Sequence, residues 1–223
     1  MEGGVKAPAV IFDLDGTLID SAPAIHAISN AVLSGLGLPA LTFPQVRGFV
    51  GKGVPHLVRQ LLAASGEDPD GPLFSRVETA LVARYETEVE GNTPYPGVAD
   101  ALARLAAAGC RLAVCTNKPL RPAEAALGHV GLRDRFDHVI GGDSLSTRKP
   151  DPGMLRASHD RLGGGPMIYV GDSEIDAETA VNARAPFALY TEGYRKAPVS
   201  ELPHSVAFSD FAMLPGIVEN VVW

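Results

Sequence analysis

Cysteine, tryptophan and basic residues are all scarce in this chain. It has two cysteines, Cys110 and Cys115, and one tryptophan, and its 19 lysines and arginines are outnumbered by 26 acidic residues. Two cysteines cannot form a disulfide framework, and these two do not have zinc-finger spacing. The net charge of −7 argues against nucleic acid as a partner, because phosphate backbones are bound by basic surfaces. No apolar stretch is long enough to span a bilayer, so we expect no membrane partner either.

The remaining composition is that of an ordinary globular protein, with 46% hydrophobic and 20% charged residues. Residues 1–8 lack the apolar run of a secretion signal, so we expect a cytoplasmic location. Cys115 falls inside an apolar run, which predicts a buried and inert thiol. The six histidines form no metal-ligand pattern, so we expect no histidine catalysis.

Two aspartates follow directly on the first apolar run of the chain. Ala9–Phe12 is typical of a buried strand, Asp13 and Asp15 come next, and Gly16 marks a turn. Residues two apart on a strand point the same way, so both carboxylates should lie at the strand's carboxyl end, where open α/β sheets bind ligands. Such a pair needs a cation or a shared proton, and an oxygen-rich site suits Mg²⁺ with phosphate as a further ligand. The alternative is a plain Asp-rich turn.

Apolar runs and helical patterns alternate after Tyr95, which predicts a doubly wound α/β core with a parallel sheet. The strand candidates are residues 9–13, 111–116, 138–140, 167–170 and 186–190, with a weaker one at 206–208. Between the first two candidates, apolar residues instead recur at helical spacing, as in Ile25, Ile28 and Val32. We therefore expect a core of residues 1–18 and 93–223, with a small helical cap of residues 19–92 inserted into it.

Four segments, in order along the chain, resemble the four motifs of the haloacid-dehalogenase superfamily. The first is Asp13-Leu14-Asp15-Gly16-Thr17, and the second is the apolar run that ends at Thr116-Asn117. The third is Lys149-Pro150, and the fourth is Gly171-Asp172 followed by Asp176. The predicted helical insertion also resembles the cap of many family members. The resemblance therefore implies an α/β core with an inserted cap.

The resemblance also implies a Mg²⁺-dependent phosphatase. Asp13 would attack phosphorus, and Asp15 would act as the general acid and base. Mg²⁺ would be held by the side chains of Asp13 and Asp172 and by the backbone carbonyl of Asp15. These three residues would form the catalytic and metal-binding centre.

The remaining motif residues would bind the phosphate or support the centre. Thr116, Asn117 and Lys149 would donate hydrogen bonds to the phosphate oxygens. The alternative for Lys149 is an ordinary exposed loop lysine. Asp176 would support the metal's water shell or the lysine, and its alternative role is to cap a helix.

Details of the motifs separate the activities within the superfamily. Its dehalogenases lack the second aspartate and use no metal, so Asp15 favours phosphoryl transfer. Its mutases usually have valine or isoleucine where this chain has Thr17, which favours a phosphatase. Its phosphonatases form a Schiff base with a lysine of the cap. The predicted cap of this chain contains one lysine, Lys52.

One loop of the predicted cap carries two cations that could select the substrate. In residues 46–54, Arg47 and Lys52 lie among three glycines, which let a backbone approach a ligand closely. The two cations could bind an anionic leaving group such as a carboxylate. The alternative is a flexible loop with solvated charges.

Segments of both cap and core also resemble bacterial phosphoglycolate phosphatases, which convert 2-phosphoglycolate to glycolate and phosphate. These segments include residues 50–53, 116–119 and 140–143. One departure is Ala183-Arg184-Ala185, where relatives usually have a glycine in the turn.

We therefore predict hydrolysis of a small phosphate ester, with 2-phosphoglycolate as the leading substrate, by a monomer or homodimer. One alternative is a phosphatase or mutase that acts on another sugar phosphate or on pyrophosphate. The other is a non-catalytic, phosphate-responsive binding protein.

Overall fold

The computed structural model describes residues 7–220, so the expectations for residues 1–6 and 221–223 lie outside the described residues. The strands in this range are, in chain order, β1 (Ala9–Phe12), β2 (Ile19–Asp20), β3 (Thr93–Pro94), β4 (Arg111–Cys115), β5 (His138–Ile140), β6 (Met167–Gly171), β7 (Phe187–Tyr190) and β8 (Val206–Phe208). The helices are α1 (Ala22–Ser34), α2 (Phe43–Arg47), α3 (Val54–Ala64), α4 (Phe74–Tyr85), α5 (Val98–Ala107), α6 (Leu120–His129), α7 (Gly153–Arg161), α8 (Glu174–Ala183) and α9 (Leu214–Asn220). No helix of residues 7–220 combines the length and apolar character that crossing a membrane requires.

A six-stranded sheet in the order β5-β4-β1-β6-β7-β8 forms the centre of the molecule, and its neighbouring strands are all parallel. The predicted doubly wound α/β fold is confirmed. Each predicted strand is present to within one residue at either end, and the weaker candidate is the edge strand β8. Parallel strands need crossover connections, and here helices supply most of them.

The sheet is buried on both faces because successive residues of a strand point to opposite sides. In β1, Val10 and Phe12 pack with α5, α6 and α9, whereas Ala9 and Ile11 pack with α7 and α8. Cys115 of β4 belongs to the second cluster, as predicted for a buried thiol, and burial raises its pKa to about 12. A thiol with this pKa is not a nucleophile at neutral pH.

Helices α1 to α4 pack on one another through a separate apolar cluster, which includes Ile25, Leu57 and Leu81. The short antiparallel pair β2–β3 joins the segments that lead into and out of these helices. Sequence reasoning missed this pair, since strands of two residues are too short to carry a periodic pattern. The division into a core and a cap at residues 19 and 92 stays a prediction.

The turn after α8, in the segment Ala183-Arg184-Ala185, is built without a glycine. Arg184 ends the helix in the left-handed conformation, with φ of 59° and ψ of 42°. Within the described part of the chain it is the only residue other than glycine with a positive φ. This conformation costs an ordinary residue about 1–2 kcal/mol relative to glycine. An arginine therefore occupies, in this turn, a conformation that glycine adopts most readily.

Candidate active site

Three neighbouring strands deliver predicted site residues to one edge of the sheet. Asp13 follows β1, Thr116 follows β4 and Asp172 follows β6, and β1 lies between the other two strands. Because parallel strands end at the same edge, residues from distant parts of the chain meet there. Lys149 reaches the same place from the loop between β5 and α7, where its Nζ contacts Asp13.

Lys149 lies at the centre of a buried network. Its Nζ donates to Asp13 Oδ1 at 2.8 Å, to Asp176 Oδ1 at 2.7 Å and to the Tyr169 hydroxyl oxygen at 2.9 Å. The side chain is 2% exposed, so the ammonium has exchanged water for three protein oxygens. This environment excludes the alternative of an exposed loop lysine.

Asp176 combines the two roles that the sequence left open. Its Oδ2 accepts hydrogen bonds from the N–H of Asp172 and from the N–H and hydroxyl of Ser173, which caps α8. Its Oδ1 accepts from Lys149 and from the Tyr169 hydroxyl. Burial pushes the pKa of Asp176 upward, but Lys149 and these hydrogen bonds outweigh burial and hold that pKa below its usual value. Asp176 is therefore ionised and supports Lys149.

Tyr169 is a member of this network that sequence reasoning missed. It lies in the middle of β6, and its hydroxyl is 2.6 Å from Asp176 Oδ1. Burial raises the pKa of Tyr169 well above its usual value, so the hydroxyl stays protonated and can donate. The available signal was a phenol within an apolar strand, because a buried tyrosine hydroxyl usually finds a partner.

Asp13 and Asp172 are less well compensated than Asp176. Burial raises the pKa of Asp13 to about 7, although the charge of Lys149 opposes the rise. Burial, followed by the charges of Asp176 and Asp13, raises the pKa of Asp172 well above its usual value. Carboxylate oxygens of Asp13, Asp172 and Asp176 all lie within 4.8 Å of one another. A hard cation would relieve this crowding, so the donor set fits a divalent metal such as Mg²⁺.

Asp172 is held in place by two loops. Its Oδ1 accepts from Thr17 Oγ1 at 2.8 Å, and its Oδ2 accepts from the backbone N–H of Tyr194 at 2.5 Å. Gly16 packs against the same carboxylate with φ of 89°, and a Cβ at this position would lie 2.5 Å from Asp172 Oδ2. Glycine is therefore required in the first motif both by the backbone conformation and by the space.

Asp15 has its own cation, which sequence reasoning also missed. Lys118 Nζ lies 3.1 Å from Asp15 Oδ1 and 3.4 Å from Oδ2, and both side chains are largely buried. The ring of Tyr85, from α4, lies 5.1 Å from the ammonium. The available signal was the position of Lys118, two residues after Thr116 and just beyond the end of β4. The two site aspartates thus have separate lysine partners.

A cavity lies between this edge of the sheet and helices α1 to α4. The sheet side lines it with polar residues, namely Asp13, Asp15, Thr116, Asn117 and Lys118. The helical side lines it with two glycines and mainly apolar residues, namely Ile25, Phe49, Val50, Gly51, Gly53, Val54, Leu57 and Tyr85. Walls of this kind exclude water and strengthen the interactions of charges inside.

Asn117 has a different set of partners from the phosphate contact that we predicted. Its Oδ1 accepts from the N–H of Lys149, and its Nδ2 donates to the carbonyls of Lys149 and Gly51. The side-chain amide therefore ties the loop after α2 to the backbone of Lys149.

Arg47 and Lys52 are not among the residues that line the cavity. Arg47 donates to the carbonyl of Gly193 at 2.7 Å and packs over the ring of Tyr194 at 5.0 Å. The side chain of Lys52 is exposed. Their role in binding a carboxylate stays a prediction, which the contacts in this conformation do not favour.

The fold and the site define a haloacid dehalogenase-like hydrolase. The model of this family matches residues 7–184, and the chain belongs to the family. The resemblance inferred from the four motifs is therefore confirmed.

Similar proteins extend the match over the whole length of the chain. It is 60% identical to the phosphoglycolate phosphatase of Rhodobacter capsulatus, over 97% of this chain and 99% of that protein. It is 45% identical to the phosphoglycolate phosphatase of Cereibacter sphaeroides, over 96% and 99%. Among solved structures, it is similar to a crystal structure described as a predicted phosphoglycolate phosphatase from Haemophilus somnus. The TM-score is 0.88 at 27% identity, over 96% of this chain and 99% of that one.

Proposed function

We propose that this chain is a Mg²⁺-dependent phosphatase that hydrolyses 2-phosphoglycolate to glycolate and phosphate. The observation that carries the proposal is the placement of Asp13 and Asp15 on one wall of a covered cavity, each paired with its own lysine. Similarity to phosphatases of phosphoglycolate over nearly the whole chain, at up to 60% identity, supports the substrate.

In the proposed reaction, Asp13 attacks phosphorus and the bond from phosphorus to the leaving oxygen breaks. Asp15 gives its proton to that oxygen, which leaves as the hydroxyl of glycolate. Water then attacks the phosphorus of the aspartyl-phosphate, Asp15 takes a proton from the water, and Asp13 departs as a carboxylate. Phosphate is released, and both aspartates return to their starting states.

Lys149 and Thr116 assist both steps. The Nζ of Lys149, 2.8 Å from Asp13 Oδ1, favours the ionised nucleophile and can neutralise charge on the phosphoryl oxygens. Thr116 lines the cavity beside Asp13 and can donate its hydroxyl to the same oxygens. Asn117 would contribute by fixing the backbone of Lys149.

The crowding of the carboxylates supports the assignment of Mg²⁺. The side chains of Asp13 and Asp172 and the backbone carbonyl of Asp15 would hold it. Asp176 would not contact the ion directly, because both of its oxygens already accept hydrogen bonds from Lys149 and Ser173. It would instead hold Lys149 and the backbone next to Asp172 in place. When bound, the ion would offset negative charge on the phosphoryl group.

In this proposal the core of residues 1–18 and 93–223 carries out the chemistry, and the cap of residues 19–92 shapes the space for the leaving group. A cytoplasmic location and a monomeric or homodimeric state remain predictions.

Phosphate release from a panel of small esters, with Mg²⁺ and with EDTA, tests the proposal. We expect kcat/KM for 2-phosphoglycolate to exceed that for other small esters by at least about 100-fold, and EDTA to abolish turnover. A preference for a sugar phosphate or pyrophosphate would keep the chemistry and overturn the substrate. Metal-independent turnover would overturn the metal site, and no turnover of any ester would favour a binding protein.

A further inference from the structure

We infer that Lys118 recognises the carboxylate of the leaving group and so determines the substrate specificity of the enzyme. The inference rests on the proposed function, because the leaving group of 2-phosphoglycolate is glycolate, which carries a carboxylate. It goes further by assigning the recognition to a core residue instead of the cap cations.

The charges around the cavity single out this lysine. Of the described residues that line the cavity, Lys118 is the one with a positive charge. Lys149 does not line the cavity, and its Nζ is engaged by Asp13, Asp176 and Tyr169. A second anionic group of the substrate therefore needs a cation other than Lys149.

Lys118 is also in the right place for a short leaving group. In 2-phosphoglycolate a single methylene separates the ester oxygen from the carboxylate. The ester oxygen must lie beside Asp15, which gives it a proton, so the carboxylate lies close to Asp15 as well. Lys118 Nζ is 3.1 Å from Asp15 Oδ1, within reach of a carboxylate bound there.

The ammonium can hold both groups at once. A lysine has three N–H donors, and its contacts to Asp15 at 3.1 and 3.4 Å go to the two oxygens of one carboxylate. The ring of Tyr85 restrains it from the cap side, at 5.1 Å. The side chain is 7% exposed, so it is held in one place and largely out of water.

The apolar cap residues around the cavity increase the preference of Lys118 for a leaving group that carries a carboxylate. Phe49, Val54 and Leu57 lie on the wall opposite the sheet. They limit the size of the leaving group and lower the local dielectric, which strengthens a contact between Lys118 and a carboxylate. An uncharged leaving group of the same size gains nothing from the lysine.

The test compares two esters of equal carbon number, 2-phosphoglycolate and ethyl phosphate, which lacks the carboxylate. The variant is Lys118→Gln, which removes the charge and keeps an N–H donor for Asp15. We expect the ratio of kcat/KM for the two esters to fall about 100-fold, mainly through a higher KM for 2-phosphoglycolate. Any part played by Lys118 through Asp15 alone changes both esters equally and cancels from the ratio.

Lys196→Gln is the matched control, since Lys196 is an exposed lysine outside this cavity, and its ratio should equal that of the unmodified enzyme. Thermal unfolding checks that the variants fold, and Lys118→Met gives the same comparison if the glutamine variant does not. An unmodified enzyme that prefers 2-phosphoglycolate, with a Lys118 variant that keeps the preference, would overturn this inference alone. An unmodified enzyme without any preference would overturn the proposed substrate, and the inference with it.

Discussion

The two walls of the cavity are built from different kinds of residue, held in different ways. On the sheet side, Asp13 lines the cavity and is joined through the buried Lys149 to Asp176 by hydrogen bonds of 2.7 to 2.8 Å. On the cap side, residues such as Phe49 and Leu57 offer apolar surface. Hydrogen-bonded charges fix the position of each atom, whereas apolar contacts fix shape and volume. We therefore expect changes in the network of Asp13, Lys149 and Asp176 to remove activity for every ester, and changes of Lys118 or of the cap wall to alter which ester is preferred.

The largest expected effect is that of Asp13→Asn. An amide is a poor nucleophile, so kcat should fall on the order of 10⁴-fold or more for every ester. Steady-state assays with 2-phosphoglycolate and an aryl phosphate measure this, and Asp137→Asn, at a partly exposed ion pair far from the site, is the control. Substantial residual turnover would remove Asp13 from its proposed role.

Lys149→Met should be the most damaging of these changes for stability. It leaves the carboxylates of Asp13 and Asp176 buried without their shared cation, so the free energy of unfolding should fall by about 3–5 kcal/mol. Urea denaturation in EDTA measures the loss.

Arg59→Met is the matched comparison for that loss, because the pair of Arg59 with Asp70 is exposed at 46% and 71%. An exposed pair contributes about 0–1 kcal/mol, so this variant should be nearly as stable as the unmodified chain. Equal losses in the free energy of unfolding for Lys149→Met and Arg59→Met would mean that the buried ion pairs of Lys149 contribute no more to stability than the exposed pair of Arg59 with Asp70.

Phe49→Ala sharpens the comparison from the cap side. Removing the ring enlarges the cavity and leaves the core network intact, so kcat/KM for a bulky aryl phosphate should rise about 10-fold relative to 2-phosphoglycolate. Met213→Ala, at a residue that is 53% exposed, should leave that ratio unchanged. If Phe49→Ala instead lowered kcat for all esters as strongly as Asp13→Asn does, the proposed role of the cap wall in ester preference would be contradicted.

The smallest expected effect lies outside both walls. Arg184→Gly relieves the left-handed backbone at the end of α8 and should stabilise the chain by about 0.5–1 kcal/mol without changing activity. Arg76→Gly, within α4, should instead destabilise by about 1 kcal/mol. Thermal and urea unfolding of both variants measure these changes in stability. A destabilised Arg184→Gly would show that the arginine side chain stabilises the fold by more than its left-handed backbone conformation destabilises it.

The sequence predicted which residues lie at the site better than it predicted the partners of the cations around it. Asp13 was indicated by the strand pattern before it, and Thr116 and Asp172 by the resemblance to the superfamily's motifs, and all three meet because parallel strands end at one edge of a sheet. The contact of Arg47 with Gly193 and that of Lys118 with Asp15 join residues 146 and 103 positions apart. Such pairs depend on how the cap and the loops pack, which no local pattern encodes.

Asn117 shows a related limit. Its identity and its place after β4 were visible in the sequence, but its partners were not. A side-chain amide has both donors and an acceptor, and here the backbone of Lys149 and the carbonyl of Gly51 take them up. Only the three-dimensional arrangement distinguishes this role from a contact with phosphate.

Trapping the phosphorylated enzyme tests the central claim, that one core performs the same chemistry on any ester that the cap admits. The enzyme would be mixed with 2-phosphoglycolate or with an aryl phosphate, quenched in acid within a turnover, digested and mapped by mass spectrometry. The account predicts a phosphoryl group on Asp13 with both esters. Phosphate on another residue, or turnover of either ester without a phosphorylated Asp13, would contradict it.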